Sequence, residues 1–331
     1  MNQVGIDISN EVFDATMQHD GGLTRRQFPN TKPGHRRFAQ WALRRTTSAQ
    51  VCLEATGVYH LQLALALHRH TDIELMVVNP CAARRFAQAN MVRAKTDAID
   101  ADGLLQYLQR MPFRCWSAPR EEVLQLQSLA HRLAQLDKEI VRERSRLHAA
   151  CRAGLHTRLV QQDIQAHITQ LQRRIERMKP QAYNVIHNDP QLADDARFLK
   201  SAPGFAELSA TKLLAELSSL PDDMTPAQWV AHAGLDPRPC ESGSSQRSSR
   251  RISKQGNARI RRALFMPALV AIQRDANVSA YYEKRLESGI AKLQAITAVM
   301  RKLLHALWGM LHHRQEWDGE KFYSLNQSKT A

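Results

Sequence analysis

The chain is short of acid. Its 331 residues hold 32 Asp and Glu against 46 Lys and Arg, a formal net charge of +14. That imbalance favours a polyanionic partner and argues against a surface built for cationic ligands. Cysteine is also scarce. The five thiols, Cys52, Cys81, Cys115, Cys151 and Cys240, include no CxxC pair. An odd count at wide spacing excludes a disulfide framework and a structural zinc site, and a reducing compartment is expected. No apolar run is long enough to span a bilayer, so no membrane partner is expected. Met1 to Ser9 reaches an acidic strand at once, without a signal peptide, and the expected location is the cytoplasm, on the nucleoid in a bacterium. What is present fits a folded protein: 43% hydrophobic and 24% charged residues exclude global disorder.

The first part alternates strands and helices. Val4 to Ile8, Phe13 to Gln18 and Arg26 to Phe28 read as three strands joined by short turns, an antiparallel meander. Pro33 to Arg45 has helical spacing. Gln50 to Glu54 is a fourth strand, Tyr59 to His70 a helix, and Ile73 to Val78 a fifth, fully apolar strand of the kind covered on both faces. Helices follow at Cys81 to Ala89 and Ala98 to Arg110. This order predicts an α/β, ribonuclease-H-like (RuvC-like) domain over residues 1–112.

Proline then disappears. From Arg120 to Lys179 there is none, and Gly154 is the lone glycine. Leu126, Leu129, Leu133, Leu136 and Ile140 step by threes and fours, as do Ile164, Ile168, Leu171, Ile175 and Met178. The spacing predicts a helical coiled-coil hairpin over 120–180, turning near Gly154, or a seam for a second subunit; two ordinary amphipathic helices fit equally. Residues 198–323 form a third, mainly α-helical domain. Ser201 to Phe205 followed by Ser209 to Leu217 resembles a helix-hairpin-helix, whose glycine turn can offer backbone N–H groups to a DNA phosphate. Helices are expected at Ala258 to Gln273 and Ile290 to His312. Trp308, His312 and His313 read as packing and surface residues.

Four carboxylates stand out. Asp7 interrupts an apolar strand, where a buried unpaired charge costs several kcal/mol, so it needs a metal, a cation or a water-filled cleft. Glu54 ends the fourth strand, the expected neighbour of the first. Asp97 and Asp100 are three apart at the start of a helix and share a face; Asp102 points elsewhere. Convergent carboxylates are what two hard cations need for phosphoryl transfer. Taken singly, Asp7 fits a strand-edge charge, Glu54 a surface carboxylate and Asp97 a helix cap.

The segment from Asp236 to Arg262 has eight basic residues and two acidic ones. A serine among arginines suits a nucleophile attacking a phosphodiester, and equally a loop that only grips phosphate. The residues do not choose among Ser242, Ser244 and Ser245. Arg247, Arg250, Arg251, Lys254, Arg259, Arg261 and Arg262 are the nucleic-acid contact candidates.

The motifs GIDIS (Gly5 to Ser9), LEATGVY (Leu53 to Tyr59), VVNP (Val77 to Pro80) and KTDAIDADGL (Lys95 to Leu104) resemble the DEDD-type transposases of the insertion-sequence one-ten (IS110) family. Ala233 to Ala268 resembles that family's second, transposase domain. The resemblance implies that Asp7, Glu54, Asp97 and Asp100 are catalytic and hold Mg2+, for which Mn2+ can substitute. It implies that Ser242, immediately before the first glycine, is the catalytic serine. It also implies target and donor DNA as substrates, a non-coding bridge RNA that pairs with both, and a homo-oligomer, dimer or tetramer, with the site completed in one chain or between two. Base pairing would then read sequence while protein holds backbone and shape. Other readings of the same residues are a structure-selective nuclease such as a Holliday-junction resolvase, which uses metal-activated water; a sugar-kinase or actin-like ATPase, for which no second glycine-rich phosphate loop is found; and a non-catalytic DNA-binding scaffold.

Overall fold

The computed structural model describes residues 1–19, 22–55, 57–90, 97–153, 158–237 and 252–325, with the backbone alone for 97–99 and 153. The chain divides into two compact units, Met1–Ala118 and Pro119–Ala331.

The first unit is a five-stranded mixed sheet with helices on both faces. Strands β1 (Asn2–Ile8), β2 (Val12–His19) and β3 (Gly22–Pro29) form the antiparallel meander that the turns predict. Helix α1 (Lys32–Ala42) leads into β4 (Ala49–Glu54), and α2 (Tyr59–His68) into β5 (Ile73–Val78). Strand β4 inserts beside β1 in parallel, and β5 pairs in parallel with β4, giving the order β3-β2-β1-β4-β5.

Alternation along the strands separates two layers. Val4, Ile6, Phe13, Val51 and Leu53 point to one face, where they bury against Phe38 and Trp41 of α1 and Leu63 and Leu67 of α2. Cys52, Met76 and Val78 point to the other, against Leu104 and Leu108 of a later helix, α4 (Asp97–Arg110), which follows α3 (Pro80–Ala89). Residues past 112 still belong to this unit: Trp116 N–H donates to the Leu75 carbonyl at 2.6 Å, and its ring meets His68.

The second unit opens with α5 (Glu121–Ala153) and α6 (Arg158–Asn188), which pack against each other. Leu126, Leu133, Leu136, Ile140, Ile168, Leu171 and Ile175 are all buried between them and the helices beyond. Helix α6 runs through Pro180, because Ala182 and Ile186 continue its buried stripe and their packing outweighs one missing N–H bond. The hairpin core is continuous with that of the following helices: α7 (Pro190–Ser201), α8 (Glu207–Leu217), α9 (Pro226–His232), α10 (Ala258–Arg274), α11 (Ala276–Glu287), α12 (Lys292–His313) and α13 (Gly319–Phe322). The turn near Gly154 lies outside the described residues.

Between α7 and α8, Gly204 has φ +88°, a conformation that glycine adopts without strain. A side chain there would collide with the Pro267 backbone of α10. Close helix packing is therefore a sufficient reason for this glycine. Among the described residues no helix is long and apolar enough to cross a membrane.

Candidate functional site

The acidic site is built on the sheet face that α4 covers. Gly5 brings the helix down: a Cβ at Gly5 would meet the Ala101 carbonyl, the Leu105 amide nitrogen and, at 2.9 Å, the Leu105 Cα. Asp7 follows Gly5 by two residues and shares its face. Glu54 follows Cys52, the partner of Gly5 in the parallel register, by two residues as well. Asp7 and Glu54 therefore stand at one level on adjacent strands, at their C-terminal ends. Both are half-buried, and both engage neighbouring groups.

Helix α4 runs antiparallel to β1. Its Gln109 side chain reaches Gln18, which pairs with Gln3 near the start of β1, whereas Ala101 lies over Gly5. The N-terminus of α4 thus points to the Asp7 end of the strand. Asp97 stands four positions before Ala101, roughly 6 Å along a helix, and Asp7 stands roughly 6–7 Å beyond Gly5 along a strand. Asp97 opens the helix and Asp100 is half-buried one turn later; the Asp97 side chain lies outside the described ones.

Sequence reasoning missed Asp14. In the β1–β2 register Asp14 lies directly opposite Asp7, so it shares the same face, and its carboxylate accepts from the Gln27 amide at 3.2 Å. Its signal was the alternation of β2, which puts Asp14 and Thr16 on the helix side. Asp102 has partners of its own. It accepts from Thr16 Oγ1 at 2.7 Å and from Arg25 Nη2 at 2.5 Å. Partial burial pulls its pKa up, but the bonds from Arg25 and Thr16 outweigh burial and hold the carboxyl below its ordinary value. Cys52, on the same face, is no nucleophile: burial pushes its thiol up to about 12.

The donors on this face are carboxylate oxygens, which suit a hard divalent cation and not zinc. Among the described residues no group of three or more His, Cys, Asp or Glu is gathered closely enough to hold a metal ion. The Asp97 side chain lies outside those residues.

In the second unit, Ser242, Arg247, Arg250 and Arg251 lie outside the described residues, as do Ser244 and Ser245. The chain on either side of them is well tied. Pro237 bridges Ile252 in antiparallel fashion. Ser253 N–H donates to the Asp236 carbonyl at 2.8 Å and Ser253 Oγ to Asp236 Oδ1 at 2.5 Å. Lys254 N–H reaches the Gly234 carbonyl and Asn257 N–H the His232 carbonyl. Gly256, at φ +138°, lets this return path press on His232; any side chain there would strike its carbonyl. Lys254, Arg259 and Arg262 are exposed. Arg261 is half-buried and spends Nη1 on the Ala233 carbonyl at 2.6 Å, so it braces the neck as well as offering charge.

Beneath this neck lies a buried polar link. Glu216 interrupts the apolar run of α8 at 4% exposure. It accepts from His131 Nε2 of α5 at 2.6 Å and from Asn257 Nδ2 at 2.5 Å, and Asn257 Oδ1 in turn accepts from Arg259 N–H and caps α10. A charged residue inside LLAEL was the available signal. Burial draws Glu216 upward, but the bonds from His131 and Asn257 win and hold its carboxyl below the usual glutamate range. A depressed folded pKa means stability that is full above the unfolded value of about 4.3 and lost as pH falls through the folded value. Glu216→Gln is therefore expected to cost about 1–2 kcal/mol at neutral pH and to flatten the acid limb of stability. Urea unfolding at a series of pH values checks this; a variant that keeps the parental acid slope would contradict the assignment. Trp308 and His312 stack at 4.5 Å, and Trp308 Nε1 donates to the Met224 carbonyl at 2.8 Å, which fits packing.

Two family models match the chain. The DEDD transposase model of IS110, described as a transposase, matches residues 4–153, which include all four expected carboxylates. The model described as the transposase IS116/IS110/IS902 family matches residues 196–283, which include Ser242. A pilin gene-inverting protein of Moraxella bovis is 26% identical over 324 residues, 95% of this chain and 97% of the relative. A Moraxella lacunata protein of the same name is equally similar over the same shares. An insertion element IS900 uncharacterized 42 kDa protein of Mycobacterium paratuberculosis is 32% identical over 35% of this chain and 29% of its own length.

Proposed function

The chain belongs to the IS110 family of transposases, enzymes that act on DNA, and from that premise we propose that it is a bridge-RNA-guided DNA recombinase using a serine nucleophile. The observation that carries the reading is the placement of Asp7 and Glu54 at one level on adjacent parallel strands, under the helix that Asp97 opens. That arrangement supports a ribonuclease-H-like (RuvC-like) assignment for residues 1–112. Residues 120–180 serve as a helical hairpin and 198–323 as the transposase domain. Asp7, Glu54, Asp97 and Asp100 hold a divalent cation, taken to be Mg2+ with Mn2+ able to replace it, and a bound cation supplies charge stabilisation at the scissile phosphate.

Ser242 Oγ attacks phosphorus, and the bond from phosphorus to the leaving sugar oxygen breaks. The serine proton passes to solvent or a carboxylate, and the leaving oxygen takes up a proton. The product is a phosphoserine diester. The hydroxyl of a second DNA end then attacks the same phosphorus, frees Ser242 and restores a phosphodiester, so no high-energy cofactor is consumed. Arg247, Arg250, Arg251, Lys254, Arg259 and Arg262 offset phosphate charge, with Arg261 contributing from its braced position. Donor and target DNA are the substrates, the bridge RNA reads their sequence by pairing, and the chain works as a dimer or tetramer in the cytoplasm, on the nucleoid.

The test is chemical. Incubated with donor DNA, divalent metal and the element's non-coding RNA, the parent protein should yield a protein–DNA adduct that survives denaturation. Ser242→Ala should yield none and should abolish recombination, while RNA binding stays near parental. Full recombination by Ser242→Ala overturns the serine step. Cleaved DNA with no adduct from the parent protein instead favours metal-activated water, as in a Holliday-junction resolvase.

A further inference from the structure

The second unit carries a groove that shares Lys254, Arg261 and Arg262 with the mechanism above and adds three cations that it leaves unused. It measures about 1210 Å³ and is walled by α10, α11 and α12 with the neck residues Pro237 and Ile252. Among the described residues six cations line it, Lys254, Arg261, Arg262, Arg285, Arg301 and Lys302, and no Asp or Glu does. Among the described residues none of the six has an ion-pair partner. Three of them, Arg285, Arg301 and Lys302, belong to helices that the charge clustering in the sequence did not single out.

Two of these cations, Arg285 and Lys302, are held over an aromatic ring. The Arg285 guanidinium sits 4.9 Å from the Tyr281 ring centre and Lys302 Nζ sits 4.5 Å from it. Arg285 Nε is buried with no hydrogen-bond partner. Burial, then the neighbouring Arg285 and Lys284, make Lys302 a weaker base than usual. Burial and Arg301 do the same to His305. Like charges crowded without counter-ions are costly, and a polyanion relieves that cost.

The floor is apolar. Leu293 is 64% exposed and Phe265 36%, with Ile290 beside them. A duplex presents phosphates and sugars outward and keeps its base faces stacked inside, so it gains little from such a floor. An unpaired strand offers base faces to apolar and aromatic side chains and phosphates to a cationic rim at once. Charge without acid partners and an apolar floor together select that ligand.

We propose that this groove binds an unpaired strand of DNA, with bases against Phe265, Ile290 and Leu293 and phosphates against Arg285, Arg301 and Lys302. The choice of DNA over RNA rests on the reading of the chain as a DNA recombinase. The serine-bearing segment joins the chain at Pro237 and Ile252, in the groove wall. An open strand held here is therefore held beside the root of that segment.

Fluorescence anisotropy on the full chain tests it, with one DNA oligonucleotide of about 15 nucleotides, its duplex and the RNA of the same sequence. The parent protein should prefer the single DNA strand. Phe265→Ala with Leu293→Ala should weaken that strand about tenfold, the worth of one stacking contact, and leave the duplex within twofold. Arg301→Gln with Lys302→Gln should make the salt dependence of single-strand binding shallower by about 1.4 log units per log unit of salt, two phosphate contacts' worth. Phe265, Leu293 and Arg301 are exposed, so these proteins should fold, and Leu293→Ala alone repeats the apolar test at the most exposed position. Equal loss for strand and duplex, no loss for either, or tighter RNA than DNA would each overturn the assignment. The adduct experiment is independent: strand selectivity without an adduct defeats the serine step alone, and an adduct with unaffected groove variants defeats the groove alone.

Discussion

Asp7→Asn is expected to abolish DNA strand cleavage, by about three orders of magnitude or more, while the protein melts within a few degrees of its parent. Asparagine keeps the size of the side chain and one acceptor, so the packing of β1 survives. What is lost is a negative charge at the end of a central strand, beside Glu54 and below the start of α4. Removing one preorganised electrostatic contact to a transition state costs about 10²–10³ in rate, and loss of a carboxylate in the cation-holding role proposed for Asp7 exceeds that. Cleavage assays across Mg2+ and Mn2+ concentrations give the readout. Asp102→Asn is the matched control, because Asp102 is committed to Thr16 and Arg25. It should lower stability by about 1 kcal/mol, as for a partly exposed ion pair, and leave cleavage near parental. Parental cleavage by Asp7→Asn would remove the carboxylate from the mechanism.

Gly5→Ala should damage the first unit severely for a single added methyl. The new Cβ points into the backbone of α4 at Ala101 and Leu105, not into a side chain that can rotate away. The helix must lift from the sheet, which exposes Leu104 and Leu108 and moves the start of α4 away from Asp7. The cost is about 3 kcal/mol, the upper part of the usual overpacking range. At this domain size that lowers Tm by roughly 10 °C, and cleavage should fall with it even at temperatures where the protein is folded. Gly103→Ala, in the same helix, meets no atom within 4 Å. It should raise stability by about 0.5–1 kcal/mol, the ordinary gain for alanine over glycine in a helix. If differential scanning calorimetry ranks the two variants together, the close approach of α4 to β1 is wrong.

The sequence by itself determined the five strands, the longest helices and their order, while α7, α9, α11 and α13 have no local signal strong enough to delimit them. Period-two alternation in β1 and β2, the uninterrupted apolar run of β5 and the three-and-four steps of α5 and α6 are local signals, because a buried face must repeat with the geometry of its own element. Asp7 and the basic cluster stand out for one reason: charge inside an apolar strand, or crowded in one stretch, is costly unless it has a use; Glu54, Asp97 and Asp100 stand out only through the elements they end or open and the motifs they resemble. Tertiary structure decided what sequence spacing does not encode. Asp14 faces Asp7 through strand register, Gly5 and Gly204 are glycines because another helix's backbone lies against them, and Glu216 joins α5 to the neck through contacts far apart in the chain. The cationic groove is the clearest case. Its residues come from the neck and three helices, and only their convergence creates a cationic field that no acid lines among the described residues.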